Sequence, residues 1–238
     1  MSGRVLITGA AGALGRSVVA RFLAGGDAIL AVDHDRAALD ALAGLVPPAS
    51  GVPGEALAVR AVDLASSEQV VELFDELERS GGAPPAVVHL VGGFRFGRLA
   101  DLSDADWSYL LRLNLDTTFR IFRESSRRFA AARGGAVVAV SAPAALLGEA
   151  GVGAYSGAKA GVLRMVEALA REMAPFGGRA NAVLPGTMDT PANRAAMPEV
   201  DPATWVSTDA VAEVIYFLTT PASAAINGAA VRVPGPTV

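Results

Sequence analysis

Short apolar runs alternate along the chain with longer stretches in which apolar residues recur at helical spacing. This alternation predicts a parallel sheet covered by helices on both faces. Seven runs read as strands: Val5–Thr8, Ala28–Val32, Ala56–Val62, Ala86–Val91, Ala136–Ser141, Arg179–Leu184 and Ala230–Val233. They are apolar throughout rather than at every second residue, as strands buried on both faces are. Helical period falls at 14–25, 35–44, 66–80, 104–132, 153–175 and 208–219, and Ser66 and Gln69 are spaced as a capping box. The expected fold class is α/β, a doubly wound parallel seven-stranded sheet with helices on both faces, in a single domain over 1–238. Two irregular segments interrupt the pattern. The Pro/Gly-rich piece Val46–Gly54 follows only two strands, so it reads as a surface loop rather than a linker. The piece 186–208, with Pro191, Pro198 and Pro202, reads as a substrate lid beside the strand ends.

Composition narrows the chemistry. A chain of 238 residues is long enough to bury roughly 70–75% of the surface its unfolded form exposes, so no disulfide or structural metal is needed to hold it. With no Cys and two His, cysteine chemistry and thiolate zinc sites are excluded, no metal is expected, and a reducing, cytoplasmic location fits. A net charge of −4 with dispersed Arg residues offers no field for nucleic acid. The mean hydropathy of +0.40 raises the question of a membrane. Yet the longest uncharged stretch, Val214–Val231, is broken by Pro221, Asn227 and Gly228, and Arg16 interrupts the apolar N-terminus. The chain is therefore expected to be soluble, with neither membrane span nor targeting segment.

The first strand runs into TGAAGALG, which places Gly9, Gly12, Ala13, Leu14 and Gly15 at a strand–helix turn. Glycines permit the tight turn and let phosphates approach the backbone, and the helix N-terminus supplies free N–H groups and a positive dipole end. The second strand leads to Asp33, where a carboxylate can accept from adenosine ribose hydroxyls, which is the Rossmann pattern for a dinucleotide. Asp33 would repel a 2′-phosphate, so NAD(H) is expected over NADP(H); Arg36 is the opposing hint and reads otherwise as a solvated helix residue. Asp63 closes the third strand, either at the adenine edge or as a cap for the helix starting near Ser66. Tyr155 and Lys159 stand four apart in AYSGAKAGVLRMVEALA, so both project from one helix face. An ammonium within reach stabilises a phenolate and lets the Tyr exchange a proton near neutral pH.

With these motifs the chain resembles a short-chain dehydrogenase/reductase over essentially its whole length. The resemblance implies Tyr155 as general acid/base, Lys159 as the group that holds the ribose and lowers the Tyr pKa, and Asn114 in RLNLDTTF as the structural and proton-relay Asn. It implies Asp63-Leu64 at the adenine, Val91-Gly92 beside the nicotinamide, and Pro185-Gly186-Thr187 with Thr190 closing on it. Two departures stand out. The Asn-Asn-Ala-Gly segment of the family is here His89-Leu90-Val91-Gly92, where a His at a strand end is either turned to the cofactor or a satisfied core residue. The substrate-binding Ser, thirteen residues before the Tyr, is Ala142; Ser141 precedes it and substitutes only if Pro143 kinks the strand end.

An enzyme lacking that donor needs a readily reduced substrate. The quinonoid dihydropteridine reductase branch of the family also lacks the Ser, and GALG, VGGF with Gly97, SAPAALLG and MDTPANRAAMPEVDPATW are similar to its segments. The resemblance therefore implies hydride transfer between a nicotinamide and a small cyclic C=O or C=N substrate, pterin-like among them, with an ordinary ketone/secondary-alcohol dehydrogenase (a ketoreductase) as the alternative. A non-catalytic dinucleotide sensor or scaffold is the alternative of another class. Phe94, Ala142 and Asn193 are candidate substrate contacts. Arg95 and Arg98 flank Phe94 and Phe96 and could hold an anion, though exposed loop arginines usually face solvent. A homodimer or homotetramer is implied by the family, through the helices at 104–132 and 153–175.

Overall fold

The computed structural model describes residues 3–45 and 56–236; the surface loop expected at 46–54 lies outside them. In chain order the elements are β1 (Val5–Thr8), α1 (Ala13–Ala24), β2 (Ile29–Asp33), α2 (Arg36–Gly44), β3 (Leu57–Ala61), α3 (Ser67–Gly81) and β4 (Ala86–His89). They continue as α4 (Asp104–Leu111), α5 (Thr117–Ala132), β5 (Gly135–Val140), α6 (Gly153–Met173), β6 (Gly178–Pro185), β7 (Met188–Asp189), α7 (Pro191–Ala196), β8 (Val206–Ser207), α8 (Thr208–Thr219) and β9 (Ala230–Val233). Seven strands form one sheet in the order β3-β2-β1-β4-β5-β6-β9, and every pairing is parallel.

Successive strand residues feed opposite faces, which is why the runs are apolar without alternation. Leu6, Leu30, Val87 and Val137 pack with Phe74 of α3, Ile121 of α5 and Val166 of α6. Val5, Ile7, Ile29, Val88 and Val138 pack on the other side with Val18 and Phe22 of α1, Leu39 of α2 and Ile215 of α8. Truncating one of the fully buried phenylalanines, Phe22, Phe74 or Phe129, to Ala removes about 3–5 kcal/mol. The strand order reverses between β1 and β4, and ligands of open α/β sheets bind in the crevice beyond the strand C-termini at such a point.

Three local differences from the sequence reading matter for the site. The expected helix 104–132 is interrupted by a π-helical turn at Arg112–Asp116 that carries Asn114. Gln69 gives half a capping box: its N–H bonds Ser66 Oγ, but its side-chain oxygen accepts from Asp63 N rather than from Ser66. The segment 186–208 is not wholly irregular, since β7 and β8 pair in parallel and α7 begins on a Thr190 cap.

Candidate active site

The glycine turn is built by close approach. Gly9 has φ +72, a conformation costly for other residues, and it rests against Leu90 and Val91 just after β4. A Cβ at Gly15 would collide with the carbonyl oxygens of Gly9 and Ala10, so α1 starts tight against the strand end. Gly12 is the α1 N-cap and brings no side-chain cap. The first N–H groups of the helix thus have no side chain competing for them, which suits an anion. Ala13 is exposed at the first helical position, while Leu14 is buried in the core. Asp33 closes the same corner: Oδ2 accepts from Ala11 N at 3.1 Å, and Oδ1 accepts from His34 N at 2.8 Å. Arg36 does not face it, being paired with Asp40 at 2.9 Å. These residues fit a dinucleotide: a cradle without Cβ atoms, a helix N-terminus, and a carboxylate at the end of β2.

Asp63 is not the cap of α3; that is Ser66. The Asp63 carboxylate accepts from Ala65 N at 2.8 Å, and Leu64 is packed into the core, leaving its backbone for any nucleotide contact.

Beyond β4 the chain brings five expected residues together. Asn114, fully buried, donates from Nδ2 to Gly93 O at 2.9 Å and to Leu110 O at 2.9 Å, and its Oδ1 accepts from Gly93 N at 3.2 Å. A Cβ at Gly92 would lie 2.8 Å from Asn114 Oδ1 and 2.9 Å from Lys159 Nζ, so Gly92 is the gap through which the lysine and the asparagine approach each other. Lys159 donates from Nζ to Val140 O at 3.0 Å. Its Nζ stands 5.9 Å from the centre of the Tyr155 ring. Phe94 meets that ring edge to face at 4.9 Å. The π turn that presents Asn114 is stabilised by the two residues after it, with Thr117 donating to Leu113 O at 2.6 Å and Thr118 to Asn114 O at 2.6 Å. Such turns concentrate at functional sites.

The electrostatics run against the expected tuning. Burial pushes the Tyr155 phenol up to about 12 and the Lys159 ammonium down to about 8, because a low-dielectric site disfavours the charged form of each. The ammonium does not pull the phenol below its ordinary value here. Tyr155 is therefore protonated at neutral pH.

His89 and Ser141 have inward tasks. Thr117 uses its hydroxyl proton on Leu113 O, so its oxygen can only accept from His89 Nε2, at 3.4 Å, while Nδ1 accepts from Thr8 Oγ1 at 2.8 Å. This assigns a neutral imidazole, and burial lowers the His89 pKa to about 3. It is the satisfied core residue of the two readings. Ser141 is buried and donates from Oγ to the Lys159 carbonyl at 2.9 Å, while Ala142 is 7% exposed beside it. Pro143 opens a short 3-10 turn after this point, but the kink does not swing the Ser141 hydroxyl outward.

In the segment after β6, Pro185 is buried at the strand end, Gly186 N donates to Val233 O at 2.9 Å, and Thr187 O accepts from Val206 N at 3.0 Å. Thr190 Oγ1 accepts from Asn193 N at 3.2 Å, and Asn193 Nδ2 donates to Met188 O at 2.8 Å. Thr190 and Asn193 thus organise their own segment, and Arg194 pairs with Asp189. Residues the sequence reading passed over are Thr8, Thr117 and Thr118; the Thr-Thr pair beginning three residues after Asn114 was the available signal. Among the described residues no group of His, Asp or Glu is placed to hold a metal ion, and no helix is long and apolar enough to cross a membrane.

A Rossmann sheet with a glycine cradle after β1 and, beside it beyond β4, an Asn–Lys–Tyr group defines a dinucleotide-dependent oxidoreductase. Residues 9–235 match a family described as enoyl-(acyl carrier protein) reductase, and the chain belongs to the short-chain dehydrogenase/reductase family. It is 32% identical to the (3R)-3-hydroxyacyl-CoA dehydrogenase of Mus musculus, over 98% of this chain and 95% of the mouse protein. Among solved structures it is similar to a short-chain oxidoreductase from Burkholderia thailandensis, with a TM-score of 0.85 at 32% identity over 99% of this chain and 92% of that one. It is also similar to an NADPH-bound short-chain oxidoreductase from Pseudomonas aeruginosa that contains an atypical catalytic center, with a TM-score of 0.86 at 25% identity over 99% and 96% of the two chains. The protein is an NAD(P)-dependent enzyme, which retires the sensor or scaffold reading.

Proposed function

We propose that this chain reduces a small carbonyl compound to the corresponding secondary alcohol, with Tyr155 as proton donor. The observation that carries the reading is the convergence of Lys159 Nζ and Asn114 Oδ1 on Gly92, with the Tyr155 ring centre 5.9 Å from Lys159 Nζ and its phenol held in the protonated form. When bound, the dinucleotide supplies the hydride. Tyr155 Oη gives its proton to the carbonyl oxygen as that oxygen gains charge, and Lys159 holds the ribose with the N–H groups not used on Val140. Asn114 fixes the Gly93 backbone beside them and relays the returning proton. The turn Gly9–Gly15 takes the pyrophosphate, Asp33 the ribose, Asp63 and Leu64 the adenine edge, and Val91, Gly92, Pro185, Gly186, Thr187 and Thr190 border the nicotinamide. The segment 186–208 is the lid of a single domain spanning 1–238, and Asn193 positions that lid rather than the substrate. The enzyme works in the cytoplasm, as the absence of Cys supports, as a homodimer or homotetramer, which sedimentation tests.

A pterin-like C=N acceptor is the second reading. Ala142 in place of a hydroxyl and the Phe94 ring beside Tyr155 favour it. NADH oxidation against cyclic ketones, imines and quinonoid dihydropterin decides between the two; turnover of none of them would sink both.

Asp33 favours NADH, whereas the Pseudomonas relative is NADPH-bound. A fluorescence titration should show tighter NADH binding. Asp33→Ser should narrow the difference by about tenfold or more, since removing a like charge is worth at least about 1.4 kcal/mol here. Tighter NADPH binding by the unaltered protein would reverse the assignment.

Ser141 supplies no proton to substrate in this reading. Losing the bond to the Lys159 carbonyl costs about 1 kcal/mol, so Ser141→Ala should lower Tm by about 2–4 °C. The hydride-transfer rate should stay within about threefold, in contrast to the 10²–10³ lost with an oxyanion donor. A hundredfold slower single turnover would return the donor role to Ser141.

A further inference from the structure

Resting on the carbonyl-reductase reading, we infer that the loop Phe94–Leu99 is a substrate-binding rim that takes substrates with an apolar body extending past the reacting carbonyl. Three large apolar side chains stand exposed within six residues: Phe94 is 52% exposed, Phe96 73% and Leu99 73%. Exposed apolar clusters of this kind mark binding surfaces. This one is continuous with the reacting group, since Phe94 packs edge to face on Tyr155.

The loop is also fastened in place. Gly97 N donates to Gly151 O at 2.8 Å, and the Phe96 ring lies so close to Gly151 that a Cβ there would come within 2.6 Å of it. Leu99 lies against Gly153, two residues before Tyr155. Phe96 and Leu99 each rest one side on the segment leading into α6 and leave the other exposed.

Of the two arginines in the loop, Arg98 is exposed, while the charge of Arg95 is directed elsewhere. Arg95 donates to Phe94 O at 2.9 Å, stacks 3.9 Å over Tyr109 and pairs with Asp106 at 3.4 Å. Its guanidinium is thereby committed to the α4 side and is not offered to an anionic substrate. What Phe94, Phe96 and Leu99 offer is apolar surface, which recognises hydrocarbon.

The test is a series of neutral ketones lengthened one methylene at a time. Binding to the NADH-loaded Tyr155→Phe chain is followed by calorimetry, and kcat/KM is measured with the unaltered enzyme. Affinity should rise about fourfold per methylene, equivalent to about 0.8 kcal/mol. In the double variant Phe96→Ser/Leu99→Ser, whose changes lie at exposed positions, the rise should fall below about twofold per methylene. A flat series in the unaltered loop, or a slope the double variant leaves intact, would overturn the inference. So would an altered sedimentation coefficient with an unchanged slope, which would give the loop to contact between copies of the chain. Binding that keeps the slope while the unaltered enzyme turns nothing over would sink the reductase reading and leave the apolar rim standing.

Discussion

Tyr155→Phe should abolish turnover while leaving dinucleotide affinity nearly unchanged. The substitution removes one oxygen and keeps the ring, so the edge-to-face contact with Phe94 at 4.9 Å survives and the crevice keeps its shape. What is lost is the phenol whose ring centre stands 5.9 Å from Lys159 Nζ. Positioned proton transfer contributes about 10²–10⁴ in rate, and Ser141, turned to the Lys159 carbonyl, does not share the task. We expect a fall in kcat of about 10³-fold or more, at the upper part of that range. Because burial holds the phenol at about 12, reduction should not decline with rising pH through loss of the Tyr155 proton until well above neutrality. Stopped-flow hydride transfer and NADH fluorescence on the two proteins check both halves. Unchanged turnover would remove Tyr155 from the mechanism, and a large loss of NADH binding would give it a structural role instead.

The sheet was legible because the inner strands, buried on both faces, are apolar at most positions, while the partly buried edge strands β3 and β9 carry Arg60 and Arg232. The Tyr155–Lys159 pair was legible because helix geometry alone sets both side chains on one face. The π turn at Arg112–Asp116 was not. It contains neither Gly nor Pro, so the helical period runs through it unbroken, and it is favoured by tertiary bonds from Asn114 to Gly93, which local sequence does not encode. The direction of Ser141 was invisible for a similar reason: whether a strand-end hydroxyl meets substrate or a helix carbonyl depends on how α6 docks against β5. His89 was correctly offered two readings, and only Thr8 and Thr117, distant in sequence, decide between them. The expected depression of the Tyr155 pKa failed because spacing reveals that a cation is near but not how deeply both groups are buried.

That burial makes Lys159 the second large lever. Its ammonium is held at about 8 rather than the ordinary 10.5, so between those values the unfolded chain binds more protons than the folded one, and stability rises with pH across that window. The cost of burying the charge is fully present below about pH 8 and absent above 10.5. Tyr155 acts in the opposite sense: with its pKa raised from 10.0 to about 12, stability falls as pH climbs through that interval. Lys159→Met fills similar volume without a charge. It should therefore be more stable than the unaltered protein at neutral pH, by up to the order of 3 kcal/mol, less the loss of the bond to Val140 O. The rise between pH 8 and 10.5 should disappear, while the decline due to Tyr155 remains. Activity should move the other way, with kcat/KM falling about 10²-fold as the ribose and phenol lose their common anchor. Denaturant midpoints from pH 7 to 11, set beside kcat/KM at pH 7, read both effects. A variant less stable at neutral pH, with the same pH slope as the parent, would mean that Lys159 is not the buried cation that the environment of Val140, Asn114 and Gly92 makes it.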